Sequence, residues 1–595
     1  MKRRVYIVYS VALFLIVVVL GRLVKLQVID SRYKKEAIKK SRNVVTVRAQ
    51  RGDILDRDRN PLAKSAKIQV AYLVPENLSD NISDRERDVI KHELMELFAI
   101  DEAKMTELMG KKGHVILKKD LSQEEVAKVE KLIGEDSDDG DSGDRNPLRG
   151  ALYLNIESGR YYPSNVESKL IGFLDSEGIG AYGIEATFED ELSGIDGKQI
   201  RSAGNRIEPI STKGLLYPAV PGNSIVTTID EGISNILYAK GKEAYENLRP
   251  KGMTLLAMDP NTGDILGMES FPTFDSNHPR KPLDDVTAKK FEGMNEEDRL
   301  NALFELWKNP AVSSLYEPGS VCKVLTLASA LEERTTDDTK SYFCDGYVHG
   351  MPENVDIRCW SWNDPHWSQD VATAFGNSCN PAFVQIGREV GLDALYRYFE
   401  GFGIGQMTGV DLPAEVPGEL MKKSDIGPVE FATMSFGHGL AMTPLQVATA
   451  VSAAVNGGVL YTPRIVKETI DATGKVVKEY PVLQKRQVIS AEASAEVRHY
   501  MEIVVRDFMK VAMVEGYPIG GKTGTTVKLE DGKYNEDLRI HSFVSFYPVD
   551  APKILLLIVI DESQADLNPC LALSQEIWRE IYDYKKYEPE TAVGE

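Results

Sequence analysis

Three short groups in a fixed order carry the side chains needed to attack an amide: Ser320-Val321-Cys322-Lys323, Ser378-Cys379-Asn380 and Lys522-Thr523-Gly524-Thr525. The first pairs a hydroxyl with an amine three residues on. The second offers a hydroxyl and a carboxamide, and the third a cationic strand edge. Serine acyl transfer uses these parts: a nucleophile with its base, a proton relay and a positive field for an anionic substrate. Each group alone is weak. Ser31-Arg32-Tyr33-Lys34 repeats the S-x-x-K spacing in a basic stretch that reads as a solvated face. Asn380 could simply cap a helix opened by Pro381 and carrying Phe383, Val384 and Ile386. Residues 522–525 could be a turn after Gly520-Gly521. Joint order and spacing give the three their weight.

The elements that must position them follow from hydrophobic patterning. Val321, Val324, Leu325, Leu327, Ala328 and Leu331 make the stretch from Ser320 to Glu333 apolar almost all round, which predicts a buried helix with Ser320 in its first turn. Lys323 then shares a face with Ser320, and burial should lower its pKa toward that of a useful base. Asp230 is placed to cap a helix bearing Ile233, Ile236, Leu237 and Ala244, although Lys240 falls on the same face. Thr254 to Asp259 and Asp264 to Ser270 read as a hairpin turning at Asn261-Thr262-Gly263. His541 to Val549 and Ile554 to Asp561 form a second strand pair, followed by a helix with Leu573, Ile577, Ile581 and Tyr584 on one face. The expected fold class is α+β, with strands at both ends of the catalytic region enclosing an all-helical middle.

Composition narrows the setting. A chain of 595 residues with 43% hydrophobic and 27% charged residues implies two or more globular units. A net charge of -20 argues against a nucleic-acid partner. Lys2, Arg3 and Arg4 precede an uncharged apolar run from Val5 to Gly21, which predicts a single transmembrane anchor with a cytoplasmic N-terminus and everything after Arg22 outside the cytoplasm. A cleaved signal peptide is the competing reading, but Gly21-Arg22-Leu23-Val24-Lys25 lacks a small-x-small cleavage site. The acidic tract from Gly134 to Pro147 reads as an exposed loop, without the terminal Glu of an EF-hand calcium loop. The five cysteines contain no C-x-x-C pair, so neither a zinc site nor a disulfide scaffold is expected. Cys322 and Cys379 read as small packing residues. A Cys344–Cys359 disulfide stays open for a chain outside the cytoplasm.

The three groups resemble the motifs of the penicillin-binding proteins, specifically the class B D,D-transpeptidases of division-specific or sporulation type. Tyr316-Glu317-Pro318-Gly319 resembles that family's lead-in to the nucleophile. Ser435-Phe436-Gly437-His438-Gly439 with Thr443-Pro444-Leu445-Gln446 resembles the segment before the third motif. Arg51-Gly52-Asp53-Ile54-Leu55-Asp56-Arg57, Gly183-Ile184-Glu185 and Leu192-Ser193-Gly194 look like signatures of its non-catalytic pedestal domain. The resemblance implies a cytoplasmic tail (1–4), an anchor (5–21), an elongated pedestal (22–221), a transpeptidase domain (222–588) and a tail (589–595).

It also implies roles. Ser320 would be the nucleophile, Lys323 its base and Ser378 a proton relay, while Asn380 would hold the substrate amide and Lys522 the terminal carboxylate. Thr523, Gly524 and Thr525 would line the substrate, with the Ser320 and Thr525 amides as oxyanion hole. The implied partners are peptidoglycan stem peptides, beta-lactams and, without a glycosyltransferase module, a SEDS-type glycan polymerase beside other division proteins. No cofactor or metal is implied. Val321, Cys322 and Thr526 depart from the commoner Thr, Phe and Ala. A beta-lactamase, a beta-lactam sensor and an inactive scaffold are the competing readings. The long N-terminal region, the four-residue cytoplasmic segment and the intact motifs argue against each in turn.

Overall fold

The computed structural model describes residues 2–25, 42–78, 82–134, 146–202, 215–353, 355–530, 533–563 and 568–589. Ser31-Arg32-Tyr33-Lys34, residues 135–145 of the acidic tract and residues 590–595 of the expected tail lie outside them. The chain divides into two compact units, residues 1–52 with 193–222, and residues 53–192 with 223–595.

The first unit carries a helix, Lys2–Val24, and a three-stranded antiparallel sheet in the order Arg42–Val47, Gly197–Ser202, Leu215–Tyr217. Val11, Leu13 and the unbroken run from Phe14 to Leu20 are exposed on that helix. Among the described residues, no helix is long and apolar enough to cross a membrane, so the expected anchor stands on the sequence run.

The second unit is built around a five-stranded antiparallel sheet. Its strands are β1 (Gly252–Met258), β2 (Ile265–Phe271), β3 (Gly520–Glu530), β4 (Lys533–Tyr547) and β5 (Ile554–Asp561), in the spatial order β2-β1-β5-β4-β3. The hairpin turns where expected, with Gly263 at φ 77° and its amide donating to the Asp259 carbonyl at 2.9 Å, a left-handed conformation that favours glycine. β5 reads ILLLIVID and is buried from Ile554 to Ile560, as a central strand covered on both faces must be.

Helix α1 (Glu231–Leu248) is capped by Asp230, whose carboxylate accepts from the Ile233 amide, and it packs on β1, β2 and α5 (Cys570–Lys585). Lys240 resolves its apparent mismatch by reaching Glu580 of α5 at 3.1 Å. On α5, Leu573, Ile577 and Ile581 are buried as expected, but Tyr584 is exposed and Trp578 and Tyr582 take the inner positions. Those two rings stack at 5.5 Å, which favours the i, i+4 row over the i, i+3 position of Tyr584.

Between β2 and β3 the buried helices α2 (Lys323–Glu332), α3 (Asn380–Val390) and α4 (Pro444–Val455) form the centre. This middle is not all-helical. It also holds two-stranded pairs at Ser341–Cys344 with Trp367–Asp370, and at Val459–Tyr461 with Gln484–Gln487. These strands are three or four residues long, too short for alternation to mark them in the sequence.

Residues 53–192 add a long antiparallel pair, Pro61–Leu73 with Leu152–Tyr161, backed by helices Asp84–Phe98, Glu102–Met109 and Gln123–Ile133 over a core that includes Leu73, Leu94, Phe98 and Val129. Arg160 on the second strand is buried against Glu185, Nε to Oε1 2.6 Å, and the Tyr162 hydroxyl donates to the same oxygen at 3.1 Å.

Candidate active site

Gly319–Cys322 forms a 3-10 turn and α2 begins only at Lys323, so Ser320 sits in a tighter turn than the sequence predicts. The cause lies in its approach. Gly319 has φ 53°, its amide donates to the Gly437 carbonyl at 3.2 Å, and a Cβ there would come within 2.4 Å of Thr526 Cγ2. Thr526, where the resemblance leads one to expect alanine, donates its hydroxyl to the Glu317 carbonyl at 3.0 Å. Ser320 is half-buried, while Lys323 to Leu331 are all buried.

Ser378 lies between the short helix Val371–Gly376 and α3, with a left-handed φ of 51°, unusual for a residue with a Cβ. Asn380 is the first residue of α3 rather than its cap; Cys379 holds the cap position and caps with no side-chain bond. The Asn380 carboxamide is engaged elsewhere: its Oδ1 accepts from Lys323 Nζ at 2.7 Å.

Lys522, Thr523, Gly524 and Thr525 form no turn. They lie on β3, the edge strand, paired with Val544, Phe543, Ser542 and His541 of β4. Gly524 passes so close to the Ser320 turn that a Cβ would stand 2.7 Å from the Pro318 carbonyl oxygen. Lys522 is fully buried, with Nζ 3.2 Å from Ser378 Oγ and 5.7 Å from the centre of the Phe375 ring.

These pieces meet at Lys323. Its Nζ lies 3.0 Å from Ser320 Oγ, 3.1 Å from Ser378 Oγ, and 2.7 Å from both the Ser378 carbonyl and Asn380 Oδ1. The two shortest contacts go to oxygens that can only accept. A neutral amine would donate its two N–H bonds there and turn its lone pair toward the hydroxyls. Burial holds the Lys323 amine down to about 7. Burial also lowers Lys522, with the neighbouring Lys323 adding to the effect. Cys322 is packed, its thiol pushed up to about 12 by burial, as a packing residue should be.

One cluster escapes the sequence reading. Cys344, Cys359, His366 and Cys379 place their donor atoms within 4.8 Å of one another. Cys379 is packed in the core as expected, and its Sγ also joins this group; the absence of a C-x-x-C pair hid the convergence. All five cysteines are free, so Cys344 and Cys359 are not joined. The signal that could have found the cluster is two His and three Cys within the 36 residues from Cys344 to Cys379, spaced as no short motif.

A serine and a buried lysine at the start of a central helix, closed by the edge strand of an antiparallel sheet, define a serine acyl-transfer centre. The model of the penicillin binding protein transpeptidase domain matches residues 253–583, and that of the penicillin-binding protein dimerisation domain matches residues 46–227. The chain is 34% identical over 528 residues to Stage V sporulation protein D of Bacillus subtilis, covering 87% of this chain and 75% of that protein. It is 26% identical over 588 residues to peptidoglycan D,D-transpeptidase FtsI of Buchnera aphidicola, covering 96% and 92%. In fold it is similar to crystalline penicillin binding protein 3 of Mycobacterium tuberculosis complexed with aztreonam, with a TM-score of 0.66, 22% identity, and 92% and 98% of the two chains covered. The chain belongs to the class B penicillin-binding proteins, which join a dimerisation domain to a transpeptidase domain.

Proposed function

We propose that this chain is a serine D,D-transpeptidase that cross-links peptidoglycan stem peptides through an acyl-enzyme on Ser320. The observation that carries the reading is the placement of a buried, low-pKa Lys323 within 3.0 Å of Ser320 Oγ, held there by the second motif. Neutral Lys323 takes the Ser320 proton as Oγ bonds to the carbonyl carbon of the penultimate D-Ala. The bond to the terminal D-Ala nitrogen breaks, and that amine leaves with a proton relayed through Ser378, which Lys323 and Lys522 both touch. An amine of a neighbouring stem then takes the acyl group and restores the serine hydroxyl. Lys522 orients the terminal carboxylate and Asn380 the substrate amide. Thr523, Gly524 and Thr525 line the strand edge along which the peptide lies. The Ser320 and Thr525 amides receive the oxyanion. Beta-lactams acylate Ser320 by the same first step.

Residues 5–21 anchor the chain, with residues 1–4 in the cytoplasm and the catalytic unit outside; the apolar run and the preceding basic residues support this. The chain is divided into a pedestal at 22–221 and a transpeptidase domain at 222–588; the family matches at 46–227 and 253–583 support a division of this kind. Similarity to a stage V sporulation protein supports work in sporulation wall synthesis; a septal role and a SEDS-type glycan polymerase as partner are what the family resemblance implies. Incubation of the purified chain with a stem pentapeptide and an acceptor amine should release D-Ala and yield the amide-linked product. D-Ala release that ignores added acceptor would indicate a hydrolase instead.

A further inference from the structure

We infer that Cys344, Cys359, His366 and Cys379 bind one zinc-class divalent cation, which ties the second catalytic motif to the hairpin formed by Ser341–Cys344 and Trp367–Asp370. The four donor atoms lie within 4.8 Å of one another. With Zn–S near 2.3 Å and Zn–N near 2.0–2.1 Å, a tetrahedron has sulfur-to-sulfur edges of about 3.8 Å and sulfur-to-nitrogen edges of about 3.6 Å. Cys359 Sγ and His366 Nδ1 are 3.6 Å apart.

The donors come from four places in the chain: the end of the first hairpin strand, the loop after it, the residue before the second strand, and the cap position of α3. All three thiols are buried and His366 is half-buried. Packing alone explains one buried cysteine, or two, but not three thiols converging on the edge of an imidazole. Thiolates with an imidazole select zinc-like ions over calcium or magnesium, which prefer oxygen. Four protein donors complete a tetrahedron and leave no open position, which is the arrangement of a structural centre rather than a catalytic one.

Surrounding groups fit that role. Ser361 Oγ lies 3.5 Å from Cys359 Sγ and 3.0 Å from His366 Nε2, so it can steady both donors. The Trp360 indole donates to the Asn377 carbonyl at 2.9 Å, fastening the donor loop next to Ser378. Cys379 itself stands between Ser378, with its left-handed φ of 51°, and Asn380, whose carboxamide holds Lys323. Binding would release the three thiol protons to solvent and use the imidazole lone pair. The bound ion would fix Cys379 and with it the two residues that face Lys323.

Metal content of the purified, detergent-solubilised full chain tests this without reference to acylation. After growth with zinc and exhaustive dialysis, elemental analysis should find about one zinc per chain, as four-donor thiolate sites retain it. Replacement by cobalt should give the intense visible absorption of a tetrahedral thiolate centre. Cys359→Ser and His366→Ala should each lower zinc retention at least tenfold, whereas His366→Cys, which keeps four donors, should retain it. The cobalt spectrum of the unaltered chain needs no variant and so is independent of their folding. Less than a tenth of an equivalent of zinc with no cobalt charge-transfer band would overturn the inference. So would equal zinc in the unaltered chain and both depleted variants, or peptide mapping that finds a disulfide joining two of these three thiols.

Discussion

The carboxamide oxygen of Asn380 accepts from Nζ of Lys323 at 2.7 Å, and this bond points the amine's remaining valence at Ser320. A neutral acceptor at that place matters. It holds the lysine without supplying the negative charge that would keep it protonated.

The first consequence is a pH dependence. Burial brings Lys323 to about 7 from an ordinary 10.5. The base is the neutral amine, so the acylation rate with a beta-lactam should rise as pH passes upward through about 7 and then level off, as stopped-flow measurement would show. The same shift affects folding. Between about 7 and the ordinary lysine range the unfolded chain holds a proton that the folded one does not, so this group's contribution to stability increases with pH across that window. A rate that falls through pH 7 would exclude Lys323 as the base.

Asn380→Asp keeps the shape and adds the charge. The carboxylate should raise the Lys323 pKa, move the rising limb of the rate profile upward by at least about one unit, and lower acylation at pH 7 about tenfold or more. An unmoved limb with a lower plateau would mean that Asn380 serves only substrate binding.

Gly319→Ala should displace the nucleophile's turn, because φ 53° disfavours a Cβ and Thr526 Cγ2 would lie 2.4 Å from it. Acylation should fall by about tenfold or more, a barrier increase of about 1.4 kcal/mol. Thr526→Ala alone removes the hydroxyl bond to Glu317 and should cost about 1 kcal/mol of stability. Combined, the two changes should cost less than their sum, since the second removes the clash created by the first. Strict additivity in labelling kinetics would contradict this contact.

Far from the chemistry, Arg160 and Glu185 form a buried pair whose side chains are 4% and 0% exposed. Glu185→Ala removes the carboxylate that the buried guanidinium pairs with, which should cost about 3–5 kcal/mol. Denaturant unfolding of the purified chain, followed by fluorescence, should show a matching fall in midpoint. A change below about 1 kcal/mol would mean that water replaces the carboxylate freely.

Much of this arrangement is legible in the sequence, and the rest is hidden for identifiable reasons. Val324, Leu325, Leu327 and Leu331 announce a buried helix, so a lysine among them stands out at once. Strands Gly252–Met258 and Ile554–Asp561 are nearly all apolar and bounded by turn residues. Asn380, by contrast, looks like a helix cap because Pro381 follows it, and only the distant Lys323 shows that its side chain is used elsewhere. The 3-10 turn at Ser320 depends on Gly319 meeting Gly437 and Thr526, residues more than a hundred positions away. The cysteine cluster is likewise a product of tertiary folding: its members are 15, 7 and 13 residues apart, a spacing with no local geometric meaning.

Acylation of Ser320 Oγ is the step from which the rest of the chemistry follows. Intact-mass measurement of the purified chain after incubation with benzylpenicillin, followed by peptide mapping, tests it most directly. The expected result is one added penicilloyl group on the peptide containing Ser320, and none on Ser320→Ala that remains folded by circular dichroism. An equal adduct on Ser320→Ala, or an adduct mapped to Ser378 or a cysteine in the unaltered chain, would contradict it.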